Sequence, residues 1–289
     1  MFEGFDVADI DTGGATLHVR WGGAGPAVLL LHGHPRTHAT WERVAPLIAK
    51  RFTVVCPDLR GYGRSSKPPS DESHSAYSKR AMAGDCLELM RTLGHERFAV
   101  VGHDRGSYVA FRLAMDHPEA VTALLVMDGI PIAEALRRCD TRFARMWWHW
   151  FFLGNPEAGA ERVINADPDA WYGVDAKRTQ MGDEAWRDFR TAMHDPAVVH
   201  AMCEDYRAGL TVDRDNDEAD RSAGRVVRCP LLVVWAKRDD LETLYGDPVA
   251  VWREWARDVS GRSIDSGHHM AEEAPDELAR SITDFLDSI

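Results

Sequence analysis

Short apolar runs punctuate the chain at 27–33 (AVLLLHG), 52–58 (FTVVCPD), 98–104 (FAVVGHD), 121–128 (VTALLVMD) and 230–239 (PLLVVWAKRD). Hydrophobic residues stand at consecutive positions in these runs, and each run ends in or leads into Gly, His, Asp or Pro. Apolar runs of this length predict strands buried on both faces. The stretches YSKRAMAGDCLELMRTLG (77–94) and GSYVAFRLAMDH (106–117) instead carry apolar residues at helical spacing. Strands alternating with such helices predict an α/β fold, a mostly parallel sheet flanked by helices. Ligand sites in these sheets lie at the carboxyl ends of the strands. The polar residues that end the runs therefore share one rim.

The strand pattern stops between about 132 and 220. This segment is helical in character and rich in aromatics, as in FARMWWHWFFLGNP, DAWYG, EAWRDFRTAM and MCEDYRAG. It predicts a helical cap (132–220) inserted into a core made of 1–131 and 221–289 and closing over the rim.

The chain has 289 residues, enough for one large domain or a core with an insertion. Its net charge of −12 argues against nucleic acid and anionic membrane surfaces as partners. The five cysteines are widely spaced and form no C-x-x-C motif, which reads as a reduced, cytoplasmic protein without a zinc site. The first residues, MFEGFDVADI, lack the basic and apolar regions of a signal peptide. No apolar run reaches the roughly 18 residues expected of a membrane-spanning helix.

One short stretch carries the chemistry. In Gly102-His103-Asp104-Arg105-Gly106 a charged residue sits between two glycines where a strand turns into a helix. This is the form of a nucleophile elbow, whose sharp turn needs small residues on both sides of the nucleophile. A carboxylate there can attack a saturated carbon bearing a leaving group and form an alkyl ester. Histidine-activated water would then hydrolyse that ester. The plainer reading of Asp104 is a helix N-cap. The loop LLLHGHPRTHATW (29–41) can present the backbone N–H of His34, and the elbow that of Arg105, to an oxyanion. His268, in SIDSGHHMAEEAPDEL (263–278), falls where a base-bearing loop is expected, with His269 as its rival. Asp128 and Asp239 each end a strand, and either could orient the histidine.

The segments HGHP, GHDRG, MDGIP, HWFF, CEDYRAG and SGHHMAEEAP together resemble the haloacetate (fluoroacetate) dehalogenases of the α/β-hydrolase fold, relatives of the epoxide hydrolases. The resemblance runs from about 25 to 285. It implies Asp104 as nucleophile, His268 as base and Asp128 as the acid, since that family takes its acid after the sixth strand. In the cap it implies His149, Trp150 and Tyr206 as holders of the departing halide. Imidazole, indole and phenol are all donors that can meet growing negative charge. The neighbouring Trp147, Trp148, Phe151 and Phe152 are expected to pack the cap. Water is the second substrate, and neither a metal nor an organic cofactor is implied. The family is often dimeric, which allows a homodimer here.

The family carries two arginines in the elbow helix that clamp the substrate carboxylate. Here those places hold Arg105 and Tyr108, and His34 stands where an aromatic is common. A phenol cannot make a bidentate, charge-assisted contact, and one such bond is worth about 1.5–3 kcal/mol. Small haloacetates are therefore expected to bind weakly, with a bulkier haloacid or a neutral substrate preferred. The runner-up activity is epoxide hydrolysis by the same Asp-His-Asp machinery, with His149 and Tyr206 as donors to the oxirane oxygen. Trp150 favours halide, because an indole N–H donates a hydrogen bond without acting as an acid. Cap residues 157–200 match the family least and would shape the pocket.

Overall fold

A computed structural model describes residues 2–173 and 178–289. Its eight strands are β1 (Asp6–Asp11), β2 (Thr16–Gly23), β3 (Ala27–Leu31), β4 (Thr53–Pro57), β5 (Phe98–His103), β6 (Val121–Met127), β7 (Leu231–Ala236) and β8 (Val259–Ile264). They form one sheet in the order β1-β2-β4-β3-β5-β6-β7-β8. β1–β2 and β2–β4 pair antiparallel, and every other pair is parallel.

All five apolar runs are strands of this sheet. On β3, Leu29 and Leu31 pack on one side while Val28 and Leu30 pack on the other. Alternate side chains thus feed two separate cores, which is why the run reads as continuously apolar. One core lies under helices α1 (Lys79–Thr92) and α2 (Arg105–Asp116) and reaches up into the aromatics of the 132–222 segment. The other lies under Trp41, Val44 and the C-terminal helix, Pro275–Asp287. At α1 the Ser78 hydroxyl accepts the Ala81 N–H, closing the helix start.

Between β6 and β7 the described elements are all helical, from Ile132 to Ser222. They include α3 (His149–Gly154), α4 (Pro196–Ala208) and α5 (Arg214–Ser222). Buried ion pairs tie the returning chain to the elbow helix. Arg112 of α2 holds Asp217 and Asp220 of α5 at 2.7 and 2.5 Å. No helix among the described residues is long and apolar enough to cross a membrane.

Candidate active site

The turn after β5 is strained as well as sharp. Asp104 has φ 50° and ψ −120°, a rare conformation for a residue with a side chain. Neither flanking glycine tolerates a Cβ. One at Gly102 would lie 2.3 Å from the Gly106 carbonyl oxygen, and one at Gly106 would lie 2.3 Å from that of His32. Asp104 occupies the N-cap position of α2, yet its side chain makes no capping bond. It points elsewhere: Oδ1 accepts the backbone N–H of His34 at 2.7 Å. Gly33 leaves room for this approach, since a Cβ there would lie 2.5 Å from Asp104 Oδ1.

The strand ends share one rim. A cavity of about 240 Å³ is lined from below by His34, Asp104, Tyr108, Asp128, Asp239 and His268. Met146, Trp147, His149, Trp150 and Tyr206 line it from the helices above. The loops after β3, β5, β6, β7 and β8 all contribute, as expected at the carboxyl edge of a parallel sheet. The volume suits a small substrate.

His268 Nε2 stands 3.9 Å from Asp104 Oδ2. Its Nδ1–H donates to Asp239 Oδ2 at 2.7 Å, while Asp128 Oδ2 is 3.5 Å from the same nitrogen. The residues alone left Asp128 and Asp239 open and the resemblance implied Asp128; in this structure the hydrogen bond goes to Asp239. Asp128 is buried, with φ 45°, and its Oδ1 accepts the Ala236 N–H at 2.8 Å. Burial works against a charged His268, but the carboxylates of Asp128, Asp239 and Asp104 outweigh it and hold the ring well above its ordinary pKa. His269 also reaches the pocket, with its ring 5.2 Å from that of His268.

The titratable side chains His149, Tyr206 and Tyr108 at the cavity are neutral. Burial pulls His149 down to about 4, against the pull of Asp104. Burial pushes the Tyr206 and Tyr108 phenols up, so both keep their protons. The Tyr206 ring packs edge-on to His149 and Trp150, with centroids 5.8 and 6.3 Å away.

Arg105 does not line the cavity. It is completely buried, and its Nη2 donates to both Oδ1 and the carbonyl oxygen of Asp205 at 2.8 Å. Its guanidinium lies 4.2 Å from the centre of the Tyr206 ring. Asp205 also accepts from Tyr62 and Lys79. The expected carboxylate clamp is thus an internal strut between elbow and cap, with only Tyr108 and His34 at the pocket wall. Nη1 of Arg105 is buried without a hydrogen-bond partner.

The four aromatics expected to pack the cap divide. Trp147 is buried and stacks on Trp150 with centroids 5.2 Å apart, and its indole donates to Asp240 at 2.7 Å. Phe152 is half-buried and packs against the same core, whereas Trp148 and Phe151 are 48% and 39% exposed, so they are not core residues. The six-residue helix α3 cannot turn all its aromatics inward. Asp240 was missed in the sequence, where it is simply the second acid of RDD. Burial and the neighbouring Asp239 push it up to about 6. Residues 174–177 of the divergent 157–200 stretch lie outside the described residues.

An aspartate at a strand-to-helix elbow, a histidine after the last strand and helices over the rim are the arrangement of a hydrolase. The family profile for the alpha/beta hydrolase fold matches residues 26–275, and the chain belongs to that family. It is 45% identical to a fluoroacetate dehalogenase from Burkholderia sp., covering 99% of this chain and 95% of that protein. It is 31% identical to a soluble epoxide hydrolase from Corynebacterium sp., covering 91% and 90%. A solved structure from Nostoc sp PCC 7120, described as an alpha/beta hydrolase, superposes with a TM-score of 0.95 at 43% identity over 99% of each chain.

Proposed function

We propose that the chain is a hydrolase acting on carbon–halogen bonds, a dehalogenase for haloacetate or related 2-haloacids that works through an alkyl ester on Asp104. The observation that carries this is the division of labour between the Asp104 oxygens. Oδ1 is anchored on the His34 N–H, and Oδ2 faces His268 and the cavity.

In the first step Oδ2 attacks the carbon bearing the halogen. The new C–O bond forms as the C–X bond breaks, and the halide leaves with the electron pair. His149, Trp150 and Tyr206 line the cavity as neutral donors for that anion. In the second step His268 Nε2 takes a proton from water, and the oxygen attacks the ester carbonyl carbon. Negative charge then gathers on Oδ1, where the His34 N–H already points. Collapse breaks the Cγ–Oδ2 bond, His268 returns its proton to the departing oxygen, and the hydroxy product leaves; the hydroxyl proton on Cγ passes to solvent, which restores the Asp104 carboxylate. Forming the ester also removes the Asp104 charge, one of the groups that keep His268 protonated, which readies the ring to act as base.

The proton kept on Tyr206 supports one second reading, epoxide hydrolysis, in which Tyr206 and His149 meet the opening oxirane oxygen. Halide release from fluoroacetate, chloroacetate and 2-chloropropionate, with styrene oxide in parallel and Asp104→Asn as control, separates the two. Halide lost in the variant supports dehalogenation. Diol from the epoxide without halide from any acid supports the second reading.

A further inference from the structure

His268 stands between two acids from adjacent strand ends, although one Nδ1–H can point straight at only one of them. Asp239 Oδ2 receives it at 2.7 Å. Asp128 Oδ2 stands 3.5 Å from the same nitrogen and is buried with no hydrogen-bond partner. A buried carboxylate oxygen without a donor is costly and uncommon, so its retention calls for a cause. Asp128 cannot readily turn away. Its other oxygen is fixed on the Ala236 N–H, and its own N–H donates to the Val234 carbonyl at 3.1 Å. Its backbone is also held at positive φ, a strain that gathers at functional sites.

We propose that His268 is served by an acid pair, in which Asp239 holds the Nδ1 proton in the resting enzyme and Asp128 is a second positioning residue able to hold it instead. This rests on His268 being the base of the proposed hydrolysis. A movement of about 0.7 Å brings Asp128 Oδ2 into charge-assisted hydrogen-bond range. The Nδ1 proton is never transferred. It stays on the ring while Nε2 takes the proton of water, and the imidazolium formed is then flanked by two carboxylates. The remaining charged and titratable groups around the ring are Asp104, Asp240, His103, His149 and His269. None of these is hydrogen-bonded to Nδ1 in this structure.

The test uses Asp239→Asn, Asp128→Asn and the double variant of the full chain. It measures kcat with chloroacetate across pH and, without substrate, the titration of the His268 ring by NMR. Each single variant is expected to keep kcat within about 30-fold of the parent. The double variant is expected to lose about 10⁴-fold, the scale seen when a triad acid becomes an amide. Each acid raises the ring pKa, so each single variant should lower it and move the acidic limb of the rate profile to lower pH. The double variant should move it further. One single variant matching the double, with the other indistinguishable from the parent in rate and titration, overturns the pair. Should Asp128→Asn fail to fold, Asp239→Asn decides alone. Turnover kept within about 30-fold of the parent with the ring pKa lowered below the parent's supports the pair; rate and titration both like the parent's, or loss to the level of Asp104→Asn, overturns it. Because the titration needs no substrate, a ring that answers to both acids in a protein releasing no halide upholds the pair and rejects the dehalogenase reading.

Discussion

The backbone N–H of His34 donates to Oδ1 of Asp104 at 2.7 Å, joining the loop after β3 to the elbow after β5. The two carboxylate oxygens are thereby unequal before any substrate arrives. Oδ2 is the expected nucleophile, and Oδ1 is the atom that carries charge when the ester breaks down. Asp104→Asn should lower turnover by at least about 10³-fold, with folding unchanged. Rapid quench of the parent enzyme in ¹⁸O-water should place label in Asp104 after one turnover, read by mass spectrometry of the elbow peptide.

Four carboxylates, Asp104, Asp128, Asp239 and Asp240, line the cavity, and among the described residues neither lysine nor arginine does. Tyr108 stands one helical turn beyond Asp104, where a longer cationic side chain would reach into the cavity. Tyr108→Arg should raise kcat/KM for chloroacetate about tenfold or more, the worth of one charge-assisted bond. It should leave chloroacetamide within a few-fold of the parent. Steady-state kinetics with the two substrates checks this, and equal gains for both would assign the effect to shape.

His149 is held neutral by burial down to about pH 4. Its proton donation should therefore not titrate near neutrality, and halide release should show no limb from this residue above about pH 5. The unfolded chain takes up this proton near the ordinary 6.5, so the native state loses stability from this residue as pH falls from 6.5 to about 4. His149→Phe, which cannot be charged or donate, should abolish that part of the acid destabilisation while lowering kcat more than KM. Urea melts across pH and steady-state assays read the two effects.

Asp205 is fully buried and pairs with Arg105 and Lys79, both buried as well. Burial, followed by the Arg105 charge, pulls Lys79 down to about 7. Asp205→Ala leaves Arg105 without its carboxylate and Lys79 with Asp213 alone, at 3.6 Å, and should cost about 3–5 kcal/mol, the scale for breaking a buried pair from one side. Denaturant unfolding measures it. A loss below 1 kcal/mol would show that Arg105 finds another partner.

Much of this was legible in the chain, for physical reasons that differ from place to place. The central strands were visible because burial on both faces makes them apolar at every position. β1, β2 and β8 were not: β1 and β8 are edge strands with polar, largely exposed faces, and β2 sets His18 and Arg20 among its apolar residues. The elbow was visible because its turn admits little besides glycine around Asp104. The fate of Arg105 was hidden because its partner lies 100 residues away in the middle of CEDYRAG. Asp240 and Trp147 were hidden because an acid beside an acid, or an aromatic among aromatics, acquires meaning only when the fold sets the two 2.7 Å apart. The choice between Asp128 and Asp239 was open for a related reason. Both end adjacent strands, and only the position of the His268 ring between them distinguishes their contacts.

In the proposed cycle Asp104 becomes covalently alkylated and His268 is needed to release it. The most direct measurement is intact-protein mass spectrometry of His268→Gln after incubation with chloroacetate, chloroacetamide or styrene oxide, followed by peptide mapping. An adduct should accumulate on Asp104, arrive with one equivalent of halide from a halogenated substrate, and be absent from the Asp104→Asn, His268→Gln double variant. Turnover by the parent enzyme with no adduct in His268→Gln from any of the three, or an adduct on another residue, would contradict it.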